Sequence, residues 1–397
     1  MTLKIIVRIV LLLTLALYTY YVYLGILHPI PALGDSWDYH IPIAKLILTG
    51  EIINPVSVGM PQWYYPGSSE VFHSIFLLLH IPLTLSNILA TIVLFFSLWK
   101  LGRVYKLSYY ISLLYALTFI SLTVVVRWAN AVSIDMWVAV FFTLGIVLLQ
   151  NPKKTNMYAV MLGTVFGMLL GSKYMAIIYV ILLSTFFIKE IYSVFSFKRL
   201  VLFLIPFTIF GVSWYIRNAI ILHNPIYPLV FFNLPHVPIF NSSESVLHMG
   251  ILKPSNMMNA LFSEYKLWTL SVFLSVSILF RSYVLKKRFD LYGVEKLCLL
   301  GLVTAAFFLF FPSFYEEWNM VSSFRYSYPV FIPLMLSSFI YITYLKKEEY
   351  LGYFIIANLF PVLTMSYYPK LMLISGGLFI LCYVLIEHFA PKEEKKS

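Results

Sequence analysis

The chain has 397 residues, of which 61% are hydrophobic and only 11% charged, with a mean hydropathy of +0.86. Soluble domains carry about a quarter charged residues, so an ordinary soluble fold is excluded. The formal charge of +11 is distributed by membrane topology, which argues against nucleic acid as a partner.

A helix needs about 20 apolar residues to cross the hydrocarbon core, and such windows recur along the whole chain. The first covers 5–27. Its basic start is signal-like, but it is too long for a signal h-region and lacks a small-x-small cleavage site, so it reads as a retained span. The outer loop 28–70 follows. Within it Asp38 to Leu48 repeats apolar residues at near-helical spacing, which predicts a short helix lying in the interface. Pro82 interrupts 71–99, so 71–80 is expected as a surface helix ahead of the true second span. Spans are then expected at 108–126, 134–149, 156–171, 174–188 and 199–216. A second outer loop, 217–266, is rich in Pro, Asn and aromatic residues and suits a lid or pocket wall. Spans at 267–285, 295–312, 328–345, 350–366 and 371–389 bring the total to about a dozen, with a short charged tail after Pro391. The even count puts both termini in the cytoplasm of a multi-pass cell-membrane protein.

Basic residues support that orientation, because they fall mainly in every second connection. Lys4 and Arg8 come first, then Lys100, Arg103 and Lys106, then Lys153 and Lys154, then Lys189, Lys198 and Arg199. Arg281 with Lys286 to Arg288, Lys346 with Lys347, and the tail lysines continue the series. The opposite loops hold Asp35, Asp38, Glu51, Glu70, Glu244, Glu264, Glu316 and Glu317. Cys298 and Cys382 both lie in apolar spans, which argues against a disulfide framework or a thiolate metal site.

Ionisable residues gather at span ends on one face: Asp35 after the first span, Asp135 opening the fourth, Lys173 in a short turn and Arg217 closing the seventh. A charge near the apolar core is costly, so a convergent set suggests a polar site for a charged ligand. Sixteen residues over 156–171 reach about 24 Å, short of the roughly 30 Å core. The turn Gly171-Ser172-Lys173 is therefore expected below the membrane surface, in a recess holding water or an anion.

Four patterns stand out: Gly34-Asp35-Ser36-Trp37-Asp38-Tyr39-His40; Trp63-Tyr64-Tyr65-Pro66-Gly67-Ser68-Ser69-Glu70; Gly171-Ser172-Lys173-Tyr174; and Arg217-Asn218 followed by Asn224-Pro225-Ile226-Tyr227-Pro228. Ser133-Ile134-Asp135 and Phe324-Arg325-Tyr326 are weaker echoes. In this order, over about 30–330, the set resembles the GT-C superfamily of polytopic glycosyltransferases. It is most similar to the bacterial and archaeal branch with protein O-mannosyltransferases and lipid A aminoarabinose transferases. Asp35 and Asp38 stand apart, whereas some relatives have adjacent acids.

The resemblance implies an all-α GT-C-type bundle. Residues 1–345 would form the catalytic transmembrane domain, its site covered by outer loops 28–70 and 217–266, and 346–397 a C-terminal helical hairpin and tail. It also implies transfer of a sugar from a polyprenyl-phosphate donor to a protein, lipid or glycan acceptor on the outer face, with inversion. An acceptor hydroxyl must lose its proton, and Asp35 is the candidate base. The lipid-phosphate leaving group needs fixed cations, for which Lys173, Arg217 and Arg325 are the candidates. Asp38, His40 and Asp135 are candidates for binding acceptor or orienting the base. No dense carboxylate cluster demands a metal, so a divalent metal is possible but not required by the sequence, and the lipid-linked sugar is a substrate rather than a cofactor.

Each residue also has a plainer reading. Asp35 and Asp135 suit helix N-termini, Lys173 could snorkel, Arg217 and Arg325 could be interfacial anchors, and His40 could be structural. Glu316-Glu317 reads as solvated loop, and Asn241-Ser242-Ser243 as a chance sequon. The rival function is a multi-span transporter or lipid flippase, for which a dozen spans is also natural. Transporters, however, usually show paired halves and midplane ionisable residues. A non-catalytic assembly subunit with the same fold is a third possibility.

Overall fold

The computed structural model describes residues 3–28, 34–54, 61–229, 234–235, 244–284, 293–313, 321–348 and 351. Among them the chain is helical apart from one short pairing, in which Glu244–Ser245 runs antiparallel to Pro312–Ser313 with Glu244 opposite Ser313.

The apolar run Leu3–Leu27 forms α1. A π turn over Ser36–His40 then leads into α2, Ile41–Thr49, the short helix expected from the apolar spacing over Asp38 to Leu48. Gly50 ends it at φ 77°, a left-handed conformation open to a residue without Cβ. Next come α3, Glu70–Leu78, and α4, Ser86–Val104, separated by a turn at Pro82. The expected short helix before the second span is therefore present, and it packs on α2.

Helix α5, Tyr109–Ile120, starts at Ser108, whose hydroxyl accepts the Ile111 amide. The single turn α6, Thr123–Val126, follows a break at Ser121, so the run 108–126 is not one continuous helix. Helix α7 is Asp135–Gln150 and α8 is Asn156–Leu170, the latter capped by the Thr155 hydroxyl. Helix α9, Ala176–Phe186, meets α10, Ile188–Val194, at a 76° bend. Helix α11, Phe197–Phe207, a π turn over Thr208–Val212 and α12, Ser213–Leu222, form one 26-residue helix. It continues beyond the expected end at 216, so Arg217 lies within the helix rather than closing it. Then come α13, Val246–Leu252, α14, Pro254–Tyr265, α15, Ser271–Leu279, α16, Val294–Phe308, and α17, Tyr328–Tyr344.

Four helical stretches are long and apolar enough to cross a membrane: Leu3–Leu27, Leu83–Val104, Phe197–Leu222 and Val321–Tyr344. The bent pair α9–α10 makes a fifth if counted as one span, and α5, α7 and α8 are shorter apolar helices. A 25-residue helix is about 37 Å long, more than the hydrocarbon thickness. The expected spans 350–366 and 371–389, most of the 346–397 hairpin and tail, Cys382, Glu316-Glu317 and the Asn241 sequon lie outside the described residues.

Helices α4, α5 and α7 form the densest part of the core, with Leu94, Leu98, Ile111, Leu114, Phe142 and Ile146 all fully buried. Helix α17 closes against α5 and α7, and α16 packs on α17. The continuous α11–α12 helix lies outside, with only 6% of its apolar window covered, as a lipid-facing helix would be. It docks on α8 through small residues. A Cβ on Gly167 would lie 2.8 Å from the Pro206 carbonyl oxygen, and one on Gly163 would collide with the Phe203 carbonyl. Between apolar helices in lipid, such backbone approach supplies packing that the hydrophobic effect does not.

Gly167→Val is therefore expected to push α11 off α8. The cost is about 1–3 kcal/mol, the usual range for overpacking, read as a lower apparent Tm of the purified protein in detergent. An unchanged melting curve would mean that the two helices do not depend on this contact.

Candidate active site

Four ionised side chains from distant segments meet at one end of the bundle. Arg325, in the 3₁₀ turn Phe324–Ser327 that precedes α17, is 5% exposed. Its Nη2 donates to Asp35 Oδ2 and, at 2.9 Å, to the Tyr326 hydroxyl. Its Nε lies 3.3 Å from Asp135 Oδ2, an ionic contact without hydrogen-bond alignment. Asp135 is the first residue of α7, where the helix N-terminus favours an acid. Its other oxygen, Oδ1, accepts a 2.8 Å bond from Lys173 Nζ. Lys173 comes from the α8–α9 turn, and its ammonium sits 3.9 Å from the centre of the Tyr326 ring. The Trp128 ring lies 4.9 Å from the Arg325 guanidinium carbon. Two acids thus balance two bases, with aromatic faces completing the cation environment.

Local structure explains how each group arrives. The Ser36 hydroxyl donates to the Val132 carbonyl at 3.0 Å and pins the turn carrying Asp35 against the segment before α7. The Trp63 indole donates to the Asp38 carbonyl at 3.2 Å and holds the same turn from the other side. Beside the ion cluster is a cavity of about 10 Å³, space for about one water, with Asp135, Lys173, Arg325, Tyr179 and Tyr326 in its wall. This cavity beside Lys173 is far smaller than a substrate. Asp35 remains the accessible member, with its side chain 38% exposed.

Arg217 stands apart. Its Nη1 donates to the Ile52 carbonyl at 3.0 Å, Nη2 to the Tyr64 carbonyl at 2.6 Å and Nε to Asn218 Oδ1 at 2.9 Å. Asn218 Nδ2 and the Tyr174 hydroxyl also donate to Tyr64 O, at 2.9 and 3.3 Å. The Tyr174 hydroxyl further reaches the Tyr227 carbonyl at 2.5 Å. These bonds tie the segment around Ile52 and Tyr64 to α12 and to Tyr227 just beyond it. Asp38 is exposed on the outer side of its turn and joins no ion pair among the described residues.

His40 is buried and lies in a neighbouring polar group. Its Nδ1 is 2.9 Å from Glu70 Oε1, and both side chains are 1% exposed. Burial pushes the Glu70 carboxyl up to about 8, and burial, helped by His73, Lys173 and Arg325, holds His40 well below its usual range. At neutral pH the contact is therefore a neutral one, in which the Glu70 O–H donates to His40 Nδ1. His73 Nδ1 pairs with the Ser86 hydroxyl at 2.7 Å, while Glu70 Oε2 and His73 Nε2 have no partner among the described residues. In the sequence Glu70 stands out only as one of the loop acids and as the last residue of the Tyr-Pro-Gly element. An acid directly before an apolar helix reads as a cap, and nothing in its spacing points to a histidine thirty residues earlier.

The sequence also left unnominated the pair Arg127–Glu264. Nη2 lies 2.5 Å from Oε1 and Nε 3.4 Å from Oε2. Glu264 is fully buried, and the pair clamps the end of α14 beside Trp128. Its partners are far apart in the chain, and an isolated Arg in a turn reads as an interfacial anchor.

Removing one partner of a buried ion pair is more costly than replacing the pair. Asp135→Asn leaves both Lys173 and Arg325 undercompensated and should destabilise the protein by about 3 kcal/mol, whereas the half-exposed Asp35 should cost clearly less as Asp35→Asn. Thermal melts of the two variants in detergent check the order, and the reverse order would remove Asp135 from the centre of the cluster. Glu70 supplies a pH test. The folded protein keeps its proton up to about pH 8, while the unfolded chain releases it near 4.5, so this contribution is full below 4.5 and drains away as pH rises towards 8. Neutral His40 contributes the opposite slope only below its ordinary 6.5. Between pH 6.5 and 8 the wild type should therefore lose about 1 kcal/mol per pH unit relative to Glu70→Gln. Parallel stability–pH curves for the two proteins would show that Glu70 is ionised in the fold.

No protein-family model matches this chain, and no curated protein or solved structure matches it either.

Proposed function

We propose that this chain is a membrane glycosyltransferase of the GT-C type that moves a sugar from a polyprenyl-phosphate donor to an acceptor on the extracytoplasmic face. The observation that carries the reading is the Asp35–Arg325–Asp135–Lys173 cluster: an accessible carboxylate held against a buried arginine, which the buried Asp135 links to Lys173, at one end of a helical bundle. The dozen spans, the cytoplasmic termini and the outward-facing site belong to this proposal. So does the ordered series of motifs from Asp35 to Arg325.

The resting cluster is closed and neutral. A donor phosphate competes with Asp35 for the Arg325 guanidinium, which binds phosphate and carboxylate in the same geometry. Its arrival frees the Asp35 carboxylate, so the base becomes available only once the donor is seated. Asp35 then takes the proton from the acceptor hydroxyl as its oxygen bonds to the anomeric carbon. The bond from that carbon to the phosphate oxygen breaks on the opposite side, with inversion. The electron pair leaves on the lipid phosphate, whose charge Arg325 and Lys173 stabilise in a low-dielectric site. Asp135 positions both cations. Arg217, with its donors engaged by loop carbonyls, holds the loop over the site and does not face the phosphate in this resting arrangement.

The test is incubation of the purified protein with a panel of polyprenyl-phosphate sugars and an acceptor extract, with release of polyprenyl phosphate as the readout. Asp35→Asn should lower the rate by about 100-fold or more while the protein stays folded, the loss expected of a missing general base. Lys173→Ala should raise the donor KM more than the acceptor KM. Full activity of Asp35→Asn would remove the assignment of the base. Counterflow of labelled lipid in proteoliposomes without any covalent transfer would replace the enzyme with a transporter.

A further inference from the structure

Two short segments run against each other beside the ion cluster. The Ser68 amide donates to the Gly171 carbonyl at 2.8 Å, and the hydroxyls of Ser69 and Ser172 meet at 2.5 Å. The next residue is Glu70 in the first segment and Lys173 in the second. A third carboxyl therefore stands close to the ammonium that Asp135 holds at 2.8 Å, and the charges of Lys173 and Asp135 both reach it.

Glu70 differs from the other two acids in what it faces. Asp35 and Asp135 each meet a cation, whereas Glu70, 1% exposed, turns Oε1 to His40 Nδ1 at 2.9 Å. Around it stand His40 from the turn before α2, His73 from its own helix, Asp135 from α7 and Lys173 from the α8–α9 turn. Arg325 acts on His40 from the turn before α17, and α4 offers only the neutral Ser86 hydroxyl, bound to His73. Lys173 and Arg325 are already matched by Asp35 and Asp135, two against two. Carrying a proton, Glu70 leaves that balance intact and gives His40 Nδ1 the donor it needs. Burial lets it keep that proton up to about pH 8.

An anion entering the cluster draws on the positive charge of Lys173 and Arg325 and repels negative charge nearby. Asp35, on an accessible turn, can give way. Glu70 is enclosed where α3 packs on α2 and cannot. Ionised, it would compete with the anion for Lys173; protonated, it does not. By reciprocity, whatever the proton adds to anion affinity, the bound anion adds to proton affinity. A glutamine would serve a purely structural bond to His40 equally well, so the distinctive property of this position is that it titrates.

We propose that Glu70 is a proton-linked control on the phosphate seat: a phosphate diester binds Lys173 and Arg325 while Glu70 carries its proton against His40, and the seat weakens when that proton is lost. The inference rests on the reading that the cluster receives a phosphate.

The experiment follows binding of methyl farnesyl phosphate to the full-length protein in dodecyl maltoside by calorimetry. This diester keeps one fixed charge and presents no sugar to be matched, so its binding reports the phosphate seat alone. Wild type should bind about tenfold more weakly at about pH 9.5 than at about pH 7. At about pH 8.5 it should take up protons on binding, seen as heats that differ between buffers of unequal ionisation enthalpy. Glu70→Gln keeps the shape and an N–H donor for His40 but cannot ionise. It should bind as tightly at the higher pH as at the lower and take up no proton. An equal loss of affinity in the two proteins would overturn the inference and leave the phosphate seat standing. No binding to wild type at either pH would remove the seat itself, and the inference with it. If Glu70→Gln is poorly folded, Lys173→Arg decides, because its cation stays charged throughout. Proton uptake must persist in that variant, and its absence there would show that the titrating group is the lysine.

Discussion

A guanidinium buried at the end of a membrane bundle must be matched by negative charge, and Arg325 meets that requirement with two carboxylates from distant parts of the chain. Desolvating it alone would cost several kcal/mol. Asp135 stands at the start of α7 and Asp35 in the turn after α1, so satisfying Arg325 brings the start of α17 against both. Asp135 also binds Lys173, which adds the α8–α9 turn to the same node. Four segments are thereby located by one charge balance, and any ligand that enters must rearrange that balance rather than fill an open hole.

The shell around this node is built from hydrogen bonds to backbone. The Tyr64 carbonyl collects donors from Arg217, Asn218 and Tyr174, so that the irregular segment around Tyr64 is held against the helix α11–α12 and the α8–α9 turn. Loop backbone at a membrane surface has polar groups that lipid cannot satisfy, and side-chain donors of this kind supply what a sheet or helix would otherwise provide. His40 and Glu70 perform a similar task one layer in, joining α3 to the turn before α2 through a neutral contact. Because that contact carries no net charge at neutral pH, it leaves the charge balance of the node undisturbed.

The parallel pair α4 and α7 gives the molecule two chemically different ends. At one end helix N-termini and carboxylates meet cations in equal number, and the result is closed. At the other, Lys100, Arg103 and Lys106 cluster at the C-terminal end of α4, where the helix dipole favours cations.

Much of this was legible in the sequence, because hydropathy and helix punctuation are local. Pro82 separating a surface helix from a span, and the apolar spacing over Asp38 to Leu48, each point to the element that forms. Asp35, Asp135, Lys173 and Arg325 could be nominated for one site because charges at span ends on one face have few other places to go. Other features could be decided only by packing. Arg217 sits as close to a span end as the others, yet its helix continues to Leu222 and its donors meet Ile52 and Tyr64 instead of the cluster. The 76° bend between α9 and α10 and the break at Ser121 leave no mark in a hydropathy window. Glu70 looks like a helix cap until α3 folds onto α2 and buries it against His40. The amino-acid sequence therefore determined which segments are apolar enough to span a membrane and which charges needed partners. The choice of partner was left to tertiary structure, since a bond such as Arg325 to Asp35 spans 290 positions and its energy exists only once the intervening helices have packed.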